Sequence, residues 1–310
     1  ESDAGQADGG LVEASSDGAT EAGVDASAEP GMVVYATDDQ QTHVRRYDPT
    51  THAWTDAIDG PKGEGGRIRA LMLRRSPVDG SRVLAIYSVA ADKTIGTLRV
   101  FDWNGTSFVE AFRTNDFGNR AGYRPVDVAF MRASGRAVVV YGGGDQGNPH
   151  FRVRDASGWG SECTAFATAP TKDWFDYFEL HGRDGSDDLA FTYQSNTRQL
   201  GAARFAGESF DNATVLGTAI EDDNRSIAAA FEQTSGDFVI VWASETGIQY
   251  SVTSAGQRIA AKTGTGLPTK NGFVTAAAQP GTDRIAFAFM EIECSGQNCD
   301  DLSTVMWNGS

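Results

Sequence analysis

Short apolar runs that end in an aromatic residue recur along the chain. They close at Tyr35, Tyr87, Tyr141, Tyr193, Trp242 and Phe289, as in Val-Val-Val-Tyr141 and Val-Ile-Val-Trp242. Successive aromatic positions lie 52, 54, 52, 49 and 47 residues apart. A near-constant period of this size is the mark of a repeat architecture. Each run is preceded by another alternating stretch, such as Val126–Phe130 or Ile227–Phe231. Between the two stands a turn dipeptide: Asp79-Gly80, Ser134-Gly135, Asp184-Gly185, Ser235-Gly236 or Pro280-Gly281. Such dipeptides form tight hairpins. A third stretch follows, such as Leu98–Phe101 or Phe151–Arg154, then a turn carrying an aromatic residue, and then a fourth. Each repeat therefore predicts four short antiparallel strands. No amphipathic helix of useful length is visible.

Six four-stranded units in succession predict an all-β, six-bladed β-propeller. Blades stacked face to face bury both sides of the second strand, which explains its continuous apolar run. Residues 1–310 then form a single propeller domain. Strand counting leaves two gaps: the copy at Met32 lacks a first strand and the copy ending at Ser310 lacks a fourth. The acidic segment 1–31 can fill both. Gly10–Ala14 resembles Ser107–Ala111, a fourth strand, and Val24–Met32 resembles Val126–Phe130 and its turn. Leu11–Ala14 is expected to complete the last blade and Gly23–Ala28 to be the inner strand of the first. Closure of this kind removes exposed sheet edges.

Composition narrows the function classes. The formal net charge is -16, which argues against nucleic acid as a partner, because neutralising phosphates needs clustered Lys and Arg. It argues equally against anionic membrane surfaces. Membrane insertion is not expected, since no stretch reaches the roughly eighteen apolar residues of a spanning helix. Only five of the 26 basic residues are Lys, a bias that suggests a GC-rich bacterial source. Cys294 and Cys299 bracket the turn-forming Ser-Gly-Gln-Asn and are expected to form a disulfide. Zinc would need further Cys or His ligands that do not lie nearby. A disulfide implies an oxidising compartment, so a secreted or cell-surface protein is expected. Cys163 is left over and reads as a small buried residue.

The repeat resembles two propeller families. Phe101-Asp102-Trp103-Asn104-Gly105-Thr106-Ser107-Phe108 is similar to the aromatic-Asp-Gly turn of the fucose-binding propeller lectins. Asp155-Ala156-Ser157-Gly158-Trp159 resembles the Asp-box of sialidase-type propellers, with a shorter spacing between Asp and Trp. The lectins' Arg and Glu sugar ligands find no blade-by-blade match, so the resemblance implies a propeller with a carbohydrate ligand rather than a specific site.

The chemistry-bearing residues form no linear motif. His43, His52, His150 and His181 show no metal-binding spacing and read as turn or surface residues. The acidic pairs, among them Asp187-Asp188, match no calcium loop and read as surface charge. No metal and no cofactor is expected. Trp54, Trp103, Trp159 and Trp307 occupy the turns between third and fourth strands. They read either as plugs between blades or as stacking platforms for a sugar, and are the candidate ligand-binding residues. The expectation is a secreted or surface-exposed, non-catalytic binding or scaffold propeller with a carbohydrate or protein ligand. The alternative is a polysaccharide-acting hydrolase or lyase, whose paired carboxylates would meet in the central funnel.

Overall fold

The computed structural model describes residues 31–37, 40–90, 96–117, 123–142, 147–219, 224–244, 247–254, 257–258, 262–263, 271–291 and 302–309. The first blade holds β1 (Met32–Ala36), β2 (Gln41–Asp48), β3 (Ala53–Trp54) and β4 (Ile58–Lys62). The second holds β5 (Gly66–Arg75), β6 (Arg82–Ala90), β7 (Gly96–Trp103) and β8 (Phe108–Phe117). The third holds β9 (Val126–Phe130), β10 (Ala137–Gly142), β11 (Pro149–Asp155), β12 (Gly158–Trp159) and β13 (Cys163–Thr164). In the fourth are β14 (Phe175–Gly182), β15 (Asp188–Ser195), β16 (Gln199–Ala206) and β17 (Thr214–Thr218). The fifth contains β18 (Ile227–Phe231), β19 (Phe238–Ser244), β20 (Gly247–Ser254), β21 (Gln257–Arg258) and β22 (Lys262–Thr263). The sixth contains β23 (Asn271–Ala278), β24 (Ile285–Glu291) and β25 (Leu302–Trp307). Every sheet is antiparallel with neighbours consecutive in sequence, apart from short outer strands that share a partner. The chain is a six-bladed β-propeller.

The inner strands β5, β9, β14, β18 and β23 each meet the next around the axis. Among the described residues no strand lies inside β1 and none outside β25. The expected closing strands, Leu11–Ala14 and Gly23–Ala28, lie outside the described residues, as do Cys294 and Cys299.

Blade-to-blade contact is apolar. Val138, Val140 and Met131 of the third blade meet Phe178, Phe191 and Tyr193 of the fourth. Leu200 and Ala202 of the fourth meet Ile240 and Trp242 of the fifth. Each such side chain, fully buried, contributes about 1.5–3 kcal/mol. Tyr141, Tyr193, Trp242 and Phe289 all face the preceding blade. Tyr87 does not: it faces forward into the third blade, and Ile86 occupies the corresponding backward place. The cause is the count from the hairpin: Tyr141, Tyr193, Trp242 and Phe289 stand five residues past the residue that closes their turn, as Ile86 does past Ser81, whereas Tyr87 stands one further, and one residue along a strand reverses the face.

The turns between first and second strands form a belt on one face. Gly80, Gly135, Gly185, Gly236 and Gly281 all have φ between 64° and 78°, a region in which glycine alone is unstrained. Ser134 N donates to Asp187 Oδ1 of the next blade at 2.8 Å. Thr234 N and Ser235 N donate to Asp283 Oδ1 at 2.8 and 3.0 Å. Asp187 is thus an inter-blade cap rather than free surface charge, and its neighbour Asp188 pairs with Arg204 at 2.6 Å. Cys163 is exposed on β13, because the short outer strand has no blade above it.

Candidate functional site in the central funnel

Charged side chains collect where the inner strands begin. The chain enters the third blade through Arg124 and the fifth through Arg225, and both make the same contact with the next inner strand. Phe178 N donates to Arg124 O at 3.2 Å, and Arg124 Nη2 donates back to Phe178 O at 3.2 Å. Val274 N donates to Arg225 O at 2.8 Å, and Arg225 Nε donates back to Val274 O at 3.2 Å. The Arg225 guanidinium also lies over the Phe273 ring at 4.7 Å. Arg69 stands at the corresponding place on β5, at its register shift. On the fourth blade this place falls to Asp176, also at a register shift. Bulged positions re-aim side chains and are common beside functional sites.

Glu179 of β14 lies at the centre of this group. Its Oε1 accepts a hydrogen bond from Arg225 Nη1 at 2.8 Å, with both residues buried. His181 Nε2 stands 3.3 Å from the same oxygen, near enough to act electrostatically but not aligned as a hydrogen bond. Burial opposes ionisation of Glu179, but Arg225, then His181 and more distantly Arg124, outweigh it and bring the carboxyl down to about 2. Glu179 Oε2 is enclosed and has no hydrogen-bond partner among the described residues. A buried anionic oxygen without a donor is costly unless a ligand supplies one.

Two further carboxylates are fully buried near the axis, Asp127 and Asp176. Both oxygens of Asp127 are occupied. Oδ1 accepts from Val128 N at 2.9 Å and Arg74 Nη2 at 3.1 Å, and Oδ2 from Leu180 N at 2.9 Å. Asp127 therefore ties the second, third and fourth blades together, with both of its oxygens engaged in structural hydrogen bonds. Asp176 lies within electrostatic reach of the Tyr87 hydroxyl, as does Arg69. Burial pushes the Tyr87 hydroxyl up, with Arg69 opposing and Asp176 adding to the effect. Tyr123 and Tyr177 stack edge to face beside this end of the funnel, their centroids 5.8 Å apart.

The sequence-selected tryptophans stand elsewhere. Trp54 is half exposed beside Tyr47, their centroids 5.5 Å apart. Trp103 packs on Phe108 at 4.9 Å. Trp159 donates to Asp102 of the preceding blade at 3.2 Å, and Trp307 donates to Glu232 of the preceding blade. All four lie on the perimeter, on separate blades, and the fold does not bring them together. Asp102, held up by burial against the pull of Arg154 and Trp159, shares that outer position. His181, in contrast, belongs to the funnel rather than to the surface, while His43 and His150 pair with Asp59 and Glu162 on outer strands. Among the described residues no three metal-ligating side chains converge.

Sequence reasoning missed Arg124, Glu179 and Arg225. The available signal was a carboxylate inside an otherwise apolar inner strand, as in Phe178-Glu179-Leu180 and Val126-Asp127-Val128, with an arginine just ahead of the strand.

No family model matches the chain, and no curated protein matches it. Solved structures do. An α-L-arabinanase from Penicillium chrysogenum, in complex with arabinobiose, is 12% identical over 90% of this chain and 90% of its own, with a TM-score of 0.51. A mutant of the α-L-arabinofuranosidase Arb93A from Fusarium graminearum, in complex with an iminosugar inhibitor, is 9% identical over 89% of each chain, with a TM-score of 0.52. A lectin from Aleuria aurantia, with α-methyl-L-fucoside, is 14% identical over 91% of this chain and 95% of its own, at a TM-score of 0.44. At such identities the likeness establishes the propeller fold alone. The expectation of a non-catalytic binder or scaffold is corrected here, since the two structures above a TM-score of 0.5 are both hydrolases.

Proposed function

We propose that the protein is a glycoside hydrolase acting on polysaccharide, with its site at the funnel end where the inner strands begin. The observation that carries this reading is Glu179, a buried, ionised carboxylate with one oxygen fixed by Arg225 and the other without a described partner. Hydrolysis of a glycosidic bond uses one carboxylate as nucleophile or base and a second carboxyl as acid. The depressed affinity of Glu179 for protons suits the first role. Asp176, buried three residues earlier on the same strand, is the second carboxyl in this assignment. The Arg225 guanidinium, held between Phe273 and Val274, keeps Glu179 charged and oriented, and Tyr123 and Tyr177 offer an aromatic wall for sugar rings. The two hydrolases named above are an arabinofuranosidase and an arabinanase, so arabinan is the first substrate to test. The acidic composition and the spacing of Cys294 and Cys299 fit work outside the cytoplasm.

The test is release of reducing sugar from arabinan, xylan and pectic polysaccharide by the purified chain and its Glu179→Gln variant. The wild type is expected to cleave at least one, and the variant to lose on the order of 10²–10⁴-fold in kcat while circular dichroism stays unchanged. Asp176→Asn is expected to remove the basic limb of the pH profile. Absence of cleavage of all three, or equal rates for Glu179→Gln, would refute the assignment.

A further inference from the structure

On the opposite face, where the inner strands end, the contact between the fourth and fifth blades opens into a cleft of about 450 Å³. Its size falls in the range of small-molecule sites, roughly 300–1,000 Å³. The repeat shows why it opens here. The turn after each inner strand is closed by a backbone bond: Met131 N to Arg136 O, Arg183 N to Asp188 O, Glu232 N to Asp237 O. Ser76, Met131 and Glu232 are buried at this place and Gln279 of the last blade is exposed, whereas the fourth blade sets there an arginine, Arg183, whose side chain is 26% exposed. A second position changes in the same way. Val153 and Val252, paired across their sheets with Val138 and Val239, cover the apolar contact with the next blade. The counterpart on the second blade is Asp102, which pairs with Arg154 of the third, and on the fourth blade it is Arg204, paired with Ala190. Two guanidinium groups therefore gather at this one inter-blade contact.

Both arginines are incompletely satisfied. Arg204 Nη2 meets Asp188 at 2.6 Å, and Arg183 Nη1 stands 3.9 Å from the same carboxylate. The Nε atoms of Arg183 and Arg204 are each enclosed and lack a hydrogen-bond partner among the described residues. The Arg183 guanidinium lies so close to Gly236 that a Cβ there would come within 2.2 Å of it. The cleft floor is small and apolar, with Ala202 set against Phe231 and Phe238. The rim offers acceptors as well as donors, since Asp211, Asp237 and Asn212 line it beside the arginines.

We infer that this cleft is a second binding site, for one or two units of a neutral saccharide. An anionic ligand would meet Asp211 and Asp237 on the rim. A purely apolar one would leave the arginine donors unpaired. Sugar hydroxyls both accept from guanidinium and donate to carboxylate, and a ring's carbon face suits the Ala202 and Phe238 floor. The site is independent of the catalytic reading, because it lies on the other face of the ring and uses none of the funnel residues.

Saturation-transfer NMR with arabinobiose, xylobiose and cellobiose, each at millimolar concentration, together with 1H–15N correlation spectra of the labelled chain, tests it. The Glu179→Gln chain is used so that turnover cannot interfere. At least one disaccharide is expected to bind and to shift the backbone amides of Asn212 and Ser235–Asp237. Arg204→Met and Asn212→Ala are each expected to weaken that binding at least fivefold with an unchanged circular dichroism spectrum. Should Arg204→Met fail to fold, Asn212→Ala and the amide shifts carry the test. Binding by none of the three probes, shifts confined to funnel residues, or unaltered affinity in the folded variants would each overturn the inference. None of these outcomes depends on whether Glu179 proves catalytic.

Discussion

Glu179 and Asp127 are both acidic residues in inner strands, yet their surroundings assign them different work. Asp127 accepts three hydrogen bonds, from Val128 N, Arg74 and Leu180 N. Removing it takes the carboxylate away from Arg74 and leaves two buried backbone donors without their acceptor. Asp127→Ala is expected to destabilise the protein by about 3–5 kcal/mol, read as a loss of denaturant midpoint. Glu179 has a folded-state affinity for protons below its ordinary value of 4.5. Its ionised form therefore adds stability at and above the ordinary value, and that stability disappears as pH falls from about 4.5 towards 2. The shift corresponds to a few kcal/mol, at about 1.4 kcal/mol per unit. Glu179→Gln is expected to flatten the acid limb of Tm against pH in that window, and an unchanged limb would refute the ion pair. Neither role was legible in the sequence. A lone carboxylate in an apolar strand signals something, but whether its oxygens are filled depends on strands some fifty residues away.

At the scale of the element, the turns were the most readable part. Ser134-Gly135 and Pro280-Gly281 fall at the predicted hairpins, because a tight turn is written in its own few residues. The facing of Tyr87 was not readable from β6 itself. All but the last residue of β6 is buried, so its sequence carries no alternation to say which side is which. The count from the hairpin decides it: Ile86, not Tyr87, stands five residues past the closing residue Ser81, as Tyr141 stands past Arg136, and so faces backward. The strands also impose constraints that the sequence conceals. A Cβ at Gly201 on β16 would come within 2.2 Å of the Tyr193 ring. Gly201→Ala is therefore expected to cost about 1–3 kcal/mol, measurable as a fall in Tm, whereas the same change at Gly105, where nothing lies within 4 Å, meets only the strain of its positive φ.

For the whole molecule, repetition both creates and hides the functional places. The period of about fifty residues set the number of blades. The proposed sites lie at departures from the repeat: Asp176 where the second, third and fifth blades carry Arg69, Arg124 and Arg225, and the pair Arg183 and Arg204 gathered at a single inter-blade contact. The perimeter tryptophans attract notice in the sequence because they recur, and recurrence places them on separate blades. A ring converts positions about fifty residues apart into neighbours at the axis, which is why the funnel could be anticipated as a place but not as a set of residues. The most direct measurement is a crystal structure of Glu179→Gln soaked with an arabino-oligosaccharide. The account predicts a sugar in the funnel, its glycosidic linkage within hydrogen-bonding reach of residue 179 and a ring against Tyr123 or Tyr177. An empty funnel at saturating oligosaccharide, or a sugar bound only at Trp54, Trp103, Trp159 or Trp307, would contradict it.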